Sequence, residues 1–158
     1  MTAIIRAILL LPVAAGFSSS LFPRAVRVSA QTSTSGRQQT LLRLFAAMRA
    51  VESRGDDRAV GDGGKARGPL QFHRATWNGA IAGTDARLWS WEREVWDYDK
   101  ACYVAYLHWE RVCPAAVRMM DVEMLARCHR LPNDPWRLSN DVYWARVLAA
   151  MKGTSDGR

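Results

Sequence analysis

Apolar residues recur along this chain at helical intervals in four places. Leu41, Leu44, Phe45, Met48 and Val51 form one stripe, and Thr40 stands where a cap belongs, so a helix is predicted over residues 40–53. Val95, Tyr98, Cys102, Ala105, Trp109 and Val112 form a second stripe, ended by Pro114. Asp121 is placed to cap a third helix bearing Val122, Leu125, Ala126 and His129. Asn140 is placed to cap a last one bearing Tyr143, Trp144, Val147, Leu148 and Met151. Between the first two stripes the pattern breaks. Residues 55–68 hold five glycines, which suits a tight β-hairpin or an ordered loop. Pro69 then opens a short helix through Leu70, Phe72 and Trp77, residues 79–84 form a turn, and residues 131–138 form a loop. The expected class is mainly α: an α+β architecture with a helical bundle around a cleft and one small β-hairpin or Gly-rich loop.

The ends read differently. Met1 to Arg6 is short and basic, Ala7 to Phe17 is apolar, and Val28-Ser29-Ala30 resembles a small-x-small cleavage site. Residues 1–30 are therefore expected to be a signal peptide or leader, and 31–39, rich in Ser, Thr, Gly and Gln, a linker. A folded domain over residues 40–152 and a flexible tail over 153–158 complete the expected organisation. Export to a secreted or periplasmic location follows. An acid-free, Arg- and Ser-bearing start also suits organelle targeting, and an uncleaved leader would act as an anchor.

Composition narrows the classes. With 158 residues, 49% of them hydrophobic and 23% charged, the chain can build a core, and wholesale disorder is excluded. No run of 18 apolar residues exists, so no integral membrane association is expected once a leader is removed. The net charge is +7, and no acid precedes Glu52. Such a field suits a polyanionic partner or simply a soluble basic surface. Nucleic acid is not expected as that partner, because the seven tryptophans are scattered and no basic run stands out. Cys102, Cys113 and Cys128, spaced by 11 and 15, fit no zinc pattern, and no metal or cofactor is expected. An exported chain can join two of the three, leaving one thiol. A Cys128–His129 nucleophile pair is excluded, since adjacent helical residues point about 100° apart.

Candidate chemistry begins at Glu52. It follows Met48 by four residues, so it projects from the edge of the apolar stripe in the last helical turn. Burial and the negative end of the helix dipole both raise a carboxyl pKa there. A carboxylic acid that keeps its proton near neutrality is what a glycosidase needs to protonate a leaving oxygen. Asp62 sits among glycines ten residues on. Such an aspartate is usually a turn former, but beside a sugar it can stay ionised and face an oxocarbenium ion.

Five motifs in order then carry a resemblance: Glu52-Ser53, Gly68-Pro69-Leu70-Gln71-Phe72, Thr76-Trp77, Ala126-Arg127-Cys128-His129, and Tyr143-Trp144-Ala145-Arg146-Val147. The chain resembles lysozyme-like enzymes, above all the invertebrate-type (destabilase) lysozymes, with a looser similarity to soluble lytic transglycosylases. The resemblance spans about Leu41 to Leu148. It implies a lysozyme fold that cleaves the β-1,4 bond between N-acetylmuramic acid and N-acetylglucosamine in peptidoglycan. It further implies Glu52 as general acid, Asp62 as second carboxylate, and Ser53, Gln71, Trp77, His129 and Tyr143 as residues that line or support the cleft. Each of these five also has a structural reading, as core or as a backbone tie. The sequence departs from the family where Asn-Gly-Gly-Pro after the histidine becomes Arg130-Leu131-Pro132-Asn133, and where most family cysteines are missing, Ala80 marking one such place.

The expected function is therefore a monomeric muramidase acting on peptidoglycan glycan strands. Two alternatives stand beside it. One is a lytic transglycosylase using Glu52 as both acid and base. The other is a wall-binding protein with a lysozyme fold and no turnover.

Overall fold

The computed structural model describes residues 24–153. Among them are seven helices and one small three-stranded antiparallel sheet, so the chain is mainly helical. In chain order the elements are α1 (Arg24–Ser53), β1 (Val60–Gly61), a 3₁₀ turn (Asp62–Gly64), β2 (Ala66–Arg67), β3 (Phe72–His73), α2 (Arg74–Ile81), a second 3₁₀ turn (Asp85–Leu88), α3 (Trp91–Glu94), α4 (Tyr98–Val112), α5 (Pro114–Met119), α6 (Val122–Arg130) and α7 (Leu138–Gly153). No helix among the described residues is long and apolar enough to cross a membrane. Of the leader, residues 1–23 lie outside the described residues, as do residues 154–158 of the tail.

The core is built by the stripes. Leu41, Leu44, Phe45, Ala47 and Met48 of α1 are buried, with Val104, Ala105 and Trp109 of α4, Leu125 and Ala126 of α6, and Tyr143 and Val147 of α7. Phe45 stacks on Trp109 with ring centroids 5.2 Å apart. Burial of such side chains contributes about 1.5–3 kcal/mol each.

Several boundaries differ from expectation. Helix α1 runs on upstream of Thr40, through the 31–39 stretch read as a linker. Thr40 does not cap it: its hydroxyl donates to the Gly36 carbonyl at 3.0 Å, a bond back along the helix. Pro69 does not open a helix. Gln71 takes a left-handed φ of 50°, and the chain then extends, so that Phe72 and His73 pair with Arg67 and Ala66 as a third strand. Helix α2 starts only at Arg74. Asp97 caps α4 by accepting from the Lys100 N–H, which leaves Val95 in the preceding turn. Pro114 ends α4 and also serves as the first residue of α5, where its missing N–H is harmless. Asp121 caps α6 as expected, accepting from Met124 at 3.0 Å. Asn140 is instead a buried tie inside α7, its amide donating to the carbonyls of Arg127 and Pro135.

Two features fix the sheet against the helices. The Trp91 indole donates to the Phe72 carbonyl at 3.0 Å. At Gly68, φ is +79° and an added Cβ would lie 2.0 Å from the Val95 carbonyl oxygen, so only glycine fits that approach. The second fixed junction is Arg127, a buried guanidinium that pairs with Glu123 of α6 and Asp141 of α7, each at 2.7 Å. Its charge is therefore satisfied on both sides where α6, the following loop and α7 meet.

Candidate functional site

Helix α1 ends beside the sheet, and α6 ends beside both. The gap between these ends is a groove of about 440 Å³. Glu52 from α1, Asp62 from the 3₁₀ turn, Gln71 and His73 around β3, and His129 and Arg130 from α6 all reach it, with Leu131 and Pro132 forming its far lip. A second depression of about 520 Å³, beside Arg49, Arg54 and Tyr98, shares no residue with it and has no carboxylate in its wall.

Glu52 is partly buried at the head of this groove. Burial raises its carboxyl above the ordinary glutamate range and outweighs three opposing influences: the nearby Tyr143 hydroxyl and the positive charges of Arg130 and Arg146. The Tyr143 hydroxyl is buried with no partner in hydrogen-bond geometry, yet it stands close enough to the Glu52 carboxyl for each to shift the other's pKa. Burial and the Glu52 charge drive its own pKa up, so it stays protonated. The Arg130 guanidinium stacks over the Tyr143 ring, 5.1 Å from its centre, and Arg146 donates to the Val51 carbonyl at 3.5 Å.

Across the groove, Asp62 is an exposed residue held at a left-handed φ of 48°. Its carboxylate lies 3.1 Å from Nε2 of His73. Gln71 sets the floor. Its amide nitrogen donates to Ala59 at 3.1 Å and to Gly68 at 2.8 Å. A Cβ on Gly61 would fall 2.4 Å from its Oε1. Gln71 thus ties the loop to the sheet, as its structural reading expects, and lines the groove as well. His129 is half-buried and edge-on to Phe72, with ring centroids 5.1 Å apart. Its Nε2 donates to the Leu70 carbonyl at 2.9 Å, while Nδ1 is buried without a partner. Burial lowers its pKa to about 4, so it is a neutral wall of the groove at ordinary pH.

Four of the expected site residues, Glu52, Asp62, Gln71 and His129, therefore converge on one groove, and Tyr143 supports Glu52 from behind. Two do not. The Ser53 hydroxyl turns back to the Arg49 carbonyl at 2.9 Å. Trp77 is wholly buried, edge-on to Phe72 at 5.6 Å, and belongs to the core. Three participants went unforeseen. His73 alternates with buried Phe72 along β3 and so faces out. Arg146 lies three residues after Tyr143 on one helical face, a spacing that was readable. Arg130 was visible only as a departure from a familiar motif. Comparison of the chain with protein-family models, with curated proteins and with solved structures finds no match.

Proposed function

We propose that this chain is a peptidoglycan-cleaving muramidase that hydrolyses the β-1,4 bond between N-acetylmuramic acid and N-acetylglucosamine. The observation that carries this reading is Glu52: a carboxyl whose burial favours the protonated form, at the head of a groove that also holds a second carboxylate. In the mechanism, Glu52 donates its proton to the glycosidic oxygen as the bond breaks. Asp62, open to water and beside His73, is the anion that faces the developing oxocarbenium ion as nucleophile or stabiliser. Glu52, now ionised, then takes the proton from the attacking water and returns to its starting state. Tyr143, behind the carboxyl, favours its ionised form once the proton has left. The ordered resemblance to lysozyme-like enzymes supports the same reading, and the leader-like start of the chain supports action outside the cytoplasm.

A lytic transglycosylase reading also draws on an observation. Asp62 is exposed and engaged by His73, whereas Glu52 has the sheltered setting that a single acid and base requires. Asp62→Asn separates the two. The muramidase reading predicts a loss of about 10²-fold or more in turnover, with reducing-end sugars as the wild-type product. Near-normal turnover with anhydro-sugar products, identified by mass analysis of released muropeptides, assigns the reaction to the alternative. If wild type and Glu52→Gln behave alike, both catalytic readings fail.

A further inference from the structure

Arg130 lines the groove beside Glu52, Arg146 is held next to it on the Val51 carbonyl, and both charges work against the acid. Each positive charge favours the ionised carboxylate, whereas a general acid must keep its proton. Neither guanidinium forms an ion pair with a carboxylate among the described residues; the seven ion pairs involve other groups. Both residues are exposed. Arg130 lines the groove itself and is braced by the Tyr143 ring, and Arg146 is braced by the Val51 carbonyl. Two held guanidinium groups near one carboxyl, neither in an ion pair among the described residues, are suited to an incoming anion, because their planar donor forks match a carboxylate.

We propose that Arg130 and Arg146 bind a carboxylate carried by the glycan, and so make the groove select anionic strands over neutral ones. This rests on the glycan-cleaving reading above. In peptidoglycan the carboxylates belong to the muramic acid side chain and its peptide; a polymer of N-acetylglucosamine alone has none. Binding such a group neutralises the two arginines just where their charge opposes the acid. The bound strand thereby helps Glu52 to retain its proton, whereas a neutral strand does not. The other titratable groups around this end of the groove are Tyr143 on α7, His129 on α6, and Asp62 and His73 beside the sheet. Burial lowers the His129 pKa to about 4, so that imidazole does not replace the arginines at neutral pH.

The test is equilibrium binding of a muropeptide with free carboxyls, the same fragment amidated, and a neutral N-acetylglucosamine oligomer. Each is titrated into the full chain, into Arg130→Gln/Arg146→Gln, and into Arg130→Lys/Arg146→Lys. The free-carboxyl fragment should bind about ten-fold more tightly than the amidated one to the wild type, weaken with salt, and lose that advantage in the Gln pair. The Lys pair should recover part of it. Both arginines are exposed, so unchanged melting temperatures confirm folded variants. Equal affinity for amidated and free fragments, or a preference that survives the Gln pair, overturns the proposal. So does competition by inorganic phosphate with no response to amidation, which would assign the two arginines to a phosphate polymer. Wall clearing with no carboxylate preference sinks this inference alone. Preference without cleavage sinks the catalytic reading alone. Absence of binding by any fragment overturns both.

Discussion

A carboxyl, a phenol and two guanidinium groups set the chemistry at Glu52, and they can be separated one at a time. Burial pushes the acid up, and the Tyr143 hydroxyl pulls it down. Removing that hydroxyl removes a stabiliser of the charged form. Tyr143→Phe should therefore move the basic limb of the pH–activity profile to higher pH, as measured by wall clearing across pH 4–9 under a buffer series. A shift to lower pH would show that the phenol stabilises the protonated acid instead. The variant should fold normally, because the buried hydroxyl has no partner in hydrogen-bond geometry to lose. At this scale Glu52 was readable from its offset along an apolar stripe. The state of Tyr143 was not, because a helical sequence gives which face a residue occupies and not which group it meets across the core.

Among elements, the helices were the readable part and their junctions were not. The stripes Leu41–Val51 and Val95–Val112 gave most of the buried faces, because apolar periodicity is a property of the helix itself, although Val112 at the end of the second is exposed. The third strand was hidden, since it depends on the left-handed turn at Gln71 and on pairing with β2, both non-local. The Asn140 cap failed for a related reason: its amide is consumed by Arg127 and Pro135, at a junction of three segments. Trp77 shows the converse, where the bland reading as core was the right one. One junction leads to a prediction. The Cys113 thiol at the end of α4 meets the Cys128 thiol of α6, while buried Cys102 contacts Tyr98. Oxidised glutathione should therefore convert Cys113 and Cys128 to a disulfide, the two thiols giving their hydrogens and electrons to form two reduced glutathiones. Peptide mapping should show the 113–128 cross-link, a two-dalton loss and one remaining thiol. Three free thiols, or a cross-link through Cys102, would contradict the geometry.

Over the whole molecule, buried His108 and half-buried His129 make folding sensitive to acid. His108 and His129 both have pKa values lowered to about 4, chiefly by burial. The unfolded chain binds protons at these positions near pH 6.5, whereas the folded chain does not until about pH 4. Stability should consequently fall as pH drops through that window and level off below it. Glu52 contributes with the opposite sign: its raised pKa means that ionisation weakens the fold as pH rises through the folded value. Melting temperature against pH should show the acid-side decline, shallower in His108→Gln. At neutral pH, Glu52→Gln should melt above the wild type, with the gap closing in acid. A wild-type melting curve flat between pH 6.5 and 4 would contradict this account of the two imidazoles.

The central claim is that one sheltered proton on Glu52 drives glycan cleavage, and release of muropeptides from purified bacterial walls by wild type and Glu52→Gln tests it most directly. The account predicts steady release by the wild type and a loss of about 10²–10⁴-fold in the variant, with its fold intact. Equal release by the two proteins would contradict it.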